Sequence, residues 1–145
     1  LMVLSDNLVA DPRMLRDLHS QGVAHLAVRV RDGIGLVGPL VVPGVTSCLG
    51  CADLHRRDRD AAWPAVAAQL RDTVGVADRP TLLATAALAL SQVNRVIGAV
   101  RGPDTERQQG PDVGPPQALN ATLEFDVHAG SIVARQWPKH PLCSC

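Results

Sequence analysis

Apolar residues in the first third of the chain follow the patterns of β-strands. Residues 1–5 form a short apolar run that stops at an Asp-Asn pair, which is typical of a turn, and they predict a buried strand. Residues 25–30 alternate between apolar and polar side chains, and a second apolar run covers 36–42. Because an Asp-Gly pair separates these two runs, the pattern predicts a β-hairpin. Pro39 in the second run lacks a backbone N–H and therefore predicts an edge position or a bulge.

Helical signals dominate the middle of the chain. Asp11 followed by Pro12 predicts the start of a helix, and its apolar stripe continues until Gly22. Two further helices are predicted over 64–71 and 80–100. The last of these is rich in Ala and apolar on nearly every side, so we expect it to be buried against a sheet or a partner subunit.

The rest of the chain completes the predicted fold. Residues 43–60 predict a charged connection, and residues 101–117 combine Gly, Pro and charge in a way that predicts a flexible loop. Residues 121–127 and 131–137 predict an antiparallel hairpin. Because helices lie between strand-rich ends, residues 1–145 predict one α/β domain, a mixed sheet with helices.

The charge balance argues against two classes of partner. The chain carries 14 Lys and Arg residues against 14 Asp and Glu residues, so its formal net charge is zero. A protein that binds nucleic acid or an anionic membrane needs a basic excess to neutralise phosphates. We therefore expect neither nucleic acid nor a membrane as a partner.

The chain shows no sign of export. Its start has neither the basic segment nor the cleavage site of a secretory signal peptide. The most apolar stretch, residues 82–100, contains Ser, Gln, Asn and Arg, which lipid disfavours. We expect a cytoplasmic protein. Since the chain opens on Leu1 within a predicted strand, we also expect a piece of a longer protein.

Two pairs of cysteines are the strongest chemical signal. Cys48 and Cys51 form a Cys-x-x-Cys motif, and Cys143 and Cys145 lie at the other end of the chain. Two such pairs can converge on one tetrahedral zinc ion, and four thiolates leave no open position for catalysis. The site would then be structural. It would stabilise the core of a chain in which only 2% of all residues are aromatic.

Other interpretations of the cysteines stay open. They can form two disulfides or be four unrelated thiols, although paired cysteines in a cytosolic protein more often bind metal. A redox Cys-x-x-Cys would need a thioredoxin-like helix N-terminus and would leave the second pair without a role. Because Cys-x-Cys is a less common half-site, His140 is a candidate substitute ligand.

Three glycines match a nucleotide-binding pattern whose context is wrong. Gly33, Gly35 and Gly38 have the spacing G-x-G-x-x-G. In a dinucleotide site this motif leaves a strand and enters a helix, whose N-terminus holds the pyrophosphate. Here a strand-like segment between two prolines follows, so we expect a hairpin and no nucleotide at these glycines.

Charged residues after the first cysteine pair allow two interpretations. Residues 52–60 contain His55, Arg56, Arg57 and Arg59 together with three Asp residues. The simpler interpretation is a solvated segment that neutralises itself. The alternative is that one of these arginines binds a phosphate or an acidic peptide, which suits the planar guanidinium. For the remaining histidines we expect surface or ordinary polar contacts; they are His19, His25 and His128.

Several segments together resemble the later half of the ThiF/MoeB/ubiquitin-activating superfamily. They are the strand ending in LSDN (4–7), the next helix with Arg13 and Arg16, VGPLVVPG (37–44), CLGC (48–51) and HPLCSC (140–145). The resemblance covers essentially the whole chain, with sparse motifs between Arg71 and Leu119. It is strongest for the ThiF-like protein of azoline peptide (cyclodehydratase) biosynthesis, through GPLVVPG, CLGCADLHRRDRD and WPKHPLCSC.

This resemblance implies a fold, a cofactor and partners. The fold is a partial, Rossmann-like ThiF fold with a structural zinc site. In the adenylating members an Asp lies near the magnesium ion and phosphates of ATP, which implies that place for Asp6. The azoline subgroup binds the leader of a precursor peptide and presents it to a YcaO-type partner.

The sequence also departs from the adenylating members. The glycine-rich loop that holds their nucleotide is missing from these residues, the only lysine is Lys139, and four zinc-bound cysteines leave none for a thioester. We therefore expect this chain not to adenylate a substrate by itself, and expect ATP and magnesium only in a complete parent protein.

Three functional hypotheses follow from these observations. The first is a zinc-stabilised, non-catalytic ThiF-like module that binds a peptide or a small carrier protein for a peptide-modifying system. The second is the C-terminal part of an ATP-dependent enzyme that activates a ubiquitin-like or sulfur-carrier protein. The third is a zinc scaffold that forms a homodimer through the helix predicted over 80–100.

Overall fold

A five-stranded mixed sheet with four helices forms the body of the protein. The computed structural model describes residues 1–5, 7–101 and 114–145. The elements are β1 (Met2–Leu4), α1 (Pro12–Ser20), β2 (His25–Arg31), β3 (Ile34–Val41), α2 (Leu49–Arg59), α3 (Trp63–Leu70), α4 (Arg79–Arg101), β4 (Ala121–Asp126) and β5 (Ser131–Gln136). The strand order is β1-β2-β3-β4-β5, with β1 parallel to β2 and the other neighbours antiparallel. The predicted mixed α/β fold and both predicted hairpins are therefore confirmed.

The proline in β3 marks a bulge inside the sheet. Leu26 pairs with Leu40 and Val28 pairs with Val37, so β3 has two residues between these pairs where β2 has one. The ladder between β3 and β4 ends at Val37. Pro39 therefore lies where no ladder hydrogen bond requires its missing N–H. The bulge alternative is confirmed, and the edge alternative is wrong because β3 is the central strand.

Residues 43–60 are not the irregular charged connection that the sequence suggested. They contain the helix α2, with Cys48 at its N-cap. Only the first turn is anchored in the core, by Leu49, Cys51 and Ala52, and the rest of the helix carries charged side chains. A helix buried over one turn has no apolar stripe along its length, so the periodicity that predicts helices is absent.

The long helix α4 packs on the sheet with its small and polar side chains. Its buried residues are Thr81, Thr85, Ala89 and Gln92. The buried polar groups have partners, since Thr85 Oγ1 donates to the carbonyl of Thr81 and Gln92 Oε1 accepts from the N–H of Ala118 at 3.1 Å.

Other apolar side chains of α4 face away from the sheet, while Leu88, Val93 and Val96 pack against the core. Leu82, Leu83, Leu90, Ile97 and Val100 are exposed. The expected burial against a sheet therefore holds for one face only. Within the described residues, α4 is the one helix that is long and apolar enough to cross a bilayer by length and composition.

The core lies mainly between α4 and the sheet. One cluster joins Leu26, Val37, Leu40 and Leu123 to Ala89 of the helix. A second cluster of Ala27, Val41 and Leu49 lies on the other side of the sheet, under α1 and α2. Aliphatic side chains fill both clusters, as the low aromatic content predicts.

A glycine permits the close approach of α4 to β3. A Cβ added at Gly35 would overlap the Oγ1 of Thr85. We expect Gly35→Ala to lower the free energy of unfolding by about 1–3 kcal/mol, because helix and strand must move apart. Gly114→Ala is the control, since a Cβ there meets no atom within 4 Å. Urea denaturation measures both, and equal stability of the two variants would contradict this packing.

Candidate functional site

The four cysteines meet at the first turn of α2. Cys48 and Cys51 lie at the start of this helix, and the tail after β5 returns to place Cys143 and Cys145 beside them. All four sulfur atoms lie within 4.8 Å of one another. The Sγ–Sγ distances are 3.9 Å for Cys48–Cys51, 3.5 Å for Cys48–Cys143 and 3.3 Å for Cys51–Cys145. The predicted convergence of the two pairs is therefore seen.

These sulfur positions fit a metal centre. A tetrahedral zinc ion with Zn–S bonds of about 2.3 Å separates neighbouring sulfurs by about 3.8 Å. The observed separations are close to this value and far above the about 2.05 Å of a disulfide bond. All four cysteines are free thiols in the structure. The cluster can therefore hold a metal ion without rearrangement of the backbone.

The environment shifts the acidity of three of the thiols. Burial alone would raise the pKa of Cys51, but the backbone N–H groups of His140 and Cys48 and its thiol neighbours lower this pKa to about 7. Burial raises the pKa of Cys48 and of Cys145. Of these three thiols, Cys51 therefore has the lowest pKa. The N-terminal end of α2 favours negative charge at this position as well.

A set of hydrogen bonds fastens the tail to α2. The backbone N–H of His140 donates to Cys51 Sγ at 3.4 Å. The ring of His140 bonds Asp58 through Nε2 at 2.8 Å and accepts the N–H of Leu142 on Nδ1 at 3.1 Å. Because Nδ1 accepts, the proton lies on Nε2 and is donated to Asp58. This hydrogen bond is the main reason that the pKa of Asp58 is lowered.

The ring of His140 contacts Asp58 and the backbone of Leu142. Both of its ring nitrogens are engaged in hydrogen bonds. The nitrogens of His55 and His140 and the carboxylate of Asp58 also lie close enough to hold a metal ion. However, His55 Nε2 is 3.0 Å from the carbonyl of Pro138. We interpret these three side chains as the clasp that positions the tail.

A second polar site lies next to the clasp. The guanidinium of Arg56 lies between two indole rings, 5.0 Å from the centre of Trp63 and 4.7 Å from that of Trp137. It also donates to Asp53 at 2.9 Å. Trp137 is 2% exposed and donates its Nε1–H to Thr122 on β4. Arg56 thus joins α2, the start of α3 and the end of β5.

The arginines of the charged segment after Cys51 lie in different places: two of them line a cleft and one does not. Arg56 and Arg59 line a cleft of about 240 Å³ against the sheet, together with Arg29, Arg31 and Arg135. Arg57 does not line this cleft and is exposed. Burial, with a smaller contribution from Arg56, lowers the pKa of Arg29 to about 10, so its side chain stays charged at neutral pH. Within residues 52–60, which the structure describes in full, the ion pair between two members of the segment is Asp53–Arg56.

An apolar groove borders the cysteine cluster. It has a volume of about 550 Å³ and runs between α1, the first turn of α2 and the tail. Its lining includes Val9, Leu15, Leu49, Ala67 and Cys143.

Some of the other predicted site residues lie within the described part of the chain, and some lie outside it. Asp6 lies outside the described residues, as do residues 102–113 of the predicted flexible loop. Gly33, Gly35 and Gly38 belong to the β2–β3 hairpin, so the hairpin predicted at these glycines is confirmed. His128 lies 3.1 Å from Asp78, which is an ordinary polar contact.

Sequence reasoning missed the arginines of the sheet. Arg29 and Arg31 are two residues apart on β2 and therefore share one face, which the alternation along this strand does indicate. Arg135 comes from β5, and no local pattern relates it to β2. Only the pairing of the strands brings the three guanidinium groups to the same cleft.

Solved structures with a similar fold include the microcin C7 biosynthetic enzyme MccB and a heterocyclase. E. coli MccB superposes with a TM-score of 0.64 at 20% identity, over 98% of this chain and 37% of MccB. The microcin C7 biosynthetic enzyme MccB in complex with N-formylated MccA gives 0.62 at 19% identity, over 98% of this chain and 39% of MccB. A heterocyclase in complex with substrate and cofactor gives 0.73 at 16% identity, over 98% of this chain and 20% of the heterocyclase. The predicted ThiF-like fold is confirmed.

The structural likeness extends further than detectable sequence similarity. No protein-family model matches the chain, and no curated protein matches it significantly. The chain spans well under half the length of MccB and one fifth of the heterocyclase. E. coli MccB is also known in complexes with ATP and with MccA.

The position of Arg56 between two indole rings makes a stability prediction. We expect Arg56→Met to lower the free energy of unfolding by about 1–2 kcal/mol, because the cation–π contacts are lost and Asp53 loses its ion pair. Arg57→Met is the matched control, since the neighbouring Arg57 is exposed. Denaturation followed by tryptophan fluorescence compares the variants. Equal midpoints would contradict a stabilising role for Arg56.

Proposed function

We propose that this chain is a zinc-stabilised, ThiF-like module of a peptide-modifying system of the azoline cyclodehydratase type. It acts in the cytoplasm by binding a peptide or a small carrier protein, and it is not catalytic by itself. The observation that carries the proposal is the meeting of four cysteine sulfurs in a fold shared with MccB and a heterocyclase.

Zinc is the metal that best suits this set of ligands. Four thiolates form a soft, tetrahedral site, and zinc needs no further ligand there. Such a site has no open position, so its role is structural. Cys48, Cys51, Cys143 and Cys145 would together tie the tail to α2, in addition to the hydrogen bonds of Asp58 and His140.

The surfaces around the metal centre suit protein and peptide contacts. The apolar groove beside Cys143 is large enough for several side chains of an extended peptide. MccB is known with the peptide MccA, which supports a peptide as the ligand. The exposed stripe of Leu83, Leu90 and Ile97 on α4 is the proposed contact for a second copy of the chain. A YcaO-type protein is the proposed partner in the modification step.

An ATP-dependent activating enzyme is the alternative function. The complex of MccB with ATP favours it, and the chain would then be the C-terminal part of an adenylating enzyme of the ubiquitin-like or sulfur-carrier kind. Asp6 would take the position near the magnesium ion and the phosphates of ATP. The rest of such a nucleotide site would have to come from outside the 145 residues, because their one glycine-rich motif belongs to a hairpin.

The proposal predicts one zinc ion per chain. We expect native mass spectrometry and elemental analysis to find one ion, and chelation to lower the melting temperature by at least about 10 °C. Cys48→Ser/Cys51→Ser removes two ligands and should abolish zinc binding. Because each ligand must lose a proton before it binds, zinc affinity should fall as the pH is lowered.

Ser144→Ala is the matched control for zinc binding. Ser144 lies between two of the cysteines and is exposed, so this variant should keep its zinc. A protein that melts at the same temperature with and without chelator would remove the structural role of the metal.

The proposed role also predicts that the isolated chain catalyses no adenylation. We expect no ATP–pyrophosphate exchange above background with magnesium and a set of candidate peptides, because the G-x-G-x-x-G motif of the chain lies in a hairpin and not before a helix. The measurement is incorporation of labelled pyrophosphate into ATP, with a competent adenylating enzyme as the positive control. Exchange that depends on the added peptide would favour the alternative function.

A further inference from the structure

The sheet face opposite α4 carries a concentration of positive charge. Arg29 and Arg31 come from β2 and Arg135 from β5, while Arg56 and Arg59 approach from α2. Against these five arginines, the lining of the cleft includes two acidic residues, Asp60 and Glu124. The chain as a whole has no net charge, so the excess in this cleft is a local feature.

Part of this charge has no partner in the described structure. Arg135 Nε donates to Glu124 at 2.6 Å, and Arg56 pairs with Asp53. Arg31 Nε lies 3.8 Å from the carboxylate of its highly exposed neighbour Asp32. Among the residues that the structure describes, no carboxylate lies within ion-pair distance of Arg29 or Arg59. Like charges held together at a partly desolvated surface destabilise one another until an anion joins them. The cleft is therefore built to gain from an anionic ligand.

The length of the cleft suits an extended ligand better than a single ion. Its residues span four neighbouring strands, and the cross-strand row runs from Arg29 through Leu36 and Glu124 to Val133. Strands about 4.8 Å apart make this row about 14 Å long, which equals about four residues of an extended chain. The floor is well packed, because Leu36 is 3% and Thr122 is 2% exposed.

We propose that this cleft binds an acidic stretch of a peptide in an extended conformation. Carboxylate side chains of the peptide would contact Arg29, Arg31 and Arg59. The planar guanidinium group of arginine is a matching hydrogen-bond donor for a carboxylate. Trp63 lines the same cleft and offers flat apolar surface to the methylene groups of the peptide. Trp137 is buried beneath Arg56 and forms part of the cleft floor. This assignment rests on the proposed peptide-binding function and names the chemistry of the peptide.

The two tryptophans make binding directly observable. The chain contains two Trp residues, and both line the cleft. We expect the intrinsic fluorescence of the zinc-loaded chain to change and saturate on titration with hexaglutamate, a peptide without its own fluorescence. Hexaglutamine should leave the emission unchanged. Sodium chloride should weaken binding, because the contacts are between partly exposed charges.

Matched variants place the binding at the cleft. Arg31→Gln/Arg59→Gln removes two exposed charges from the lining and should weaken hexaglutamate binding at least about tenfold. Arg13→Gln/Arg57→Gln removes the same charge from exposed positions outside the cleft and should change the affinity less than about twofold. Equal affinities of the two double variants, or no fluorescence change in the parent chain, would overturn the site.

A phosphate arm tests the identity of the ligand. If inorganic phosphate or pyrophosphate binds with the same sensitivity to Arg31→Gln/Arg59→Gln while hexaglutamate does not, the acidic-peptide assignment is overturned. The zinc content and the melting temperature are measured on the same samples. If the chain holds one zinc ion but does not bind hexaglutamate, the assignment of the cleft is overturned and the proposed function is not. If the chain holds no zinc, the proposed function itself is overturned.

Discussion

The last residues of the chain are held against both ends of α2, and the candidate sites depend on this contact. Cys143 and Cys145 meet the sulfurs of Cys48 and Cys51, while the ring of His140 binds Asp58. These contacts are between residues more than 80 positions apart in the sequence. Metal binding here would therefore close most of the chain into one loop and restrict its unfolded state.

The same contact builds the arginine cleft. Where the tail leaves β5, Trp137 is buried and its indole ring lies under Arg56. Asn120 reinforces the arrangement, because its backbone carbonyl accepts the N–H of Trp137 and its side-chain oxygen accepts the N–H of Ser47, next to Cys48. Since one segment serves both features, a change at the cysteine cluster should disturb the cleft as well. The cysteine cluster and the proposed binding surface are thus physically linked.

The two faces of the sheet are specialised in opposite ways. One face receives α4 through Gly35 and the small side chains of the helix, which leaves apolar residues such as Leu90 exposed to solvent. The other face carries Arg29 and Leu36 side by side under α2. Because β-strand side chains alternate between faces, one strand supplies both surfaces. The protein therefore presents an apolar surface on one side of the sheet and a basic surface on the other.

Local patterns in the amino-acid order were enough to predict most elements and the convergence of the four cysteines. Turn residues, the Asp11-Pro12 helix start and the apolar periods act over a few neighbouring residues, so they can be read without knowledge of the fold. The helix α2, the clasp of Asp58 and His140, and the meeting of Arg29 with Arg135 required the tertiary structure. These features arise from contacts between distant segments, which the sheet register and the returning tail alone bring together.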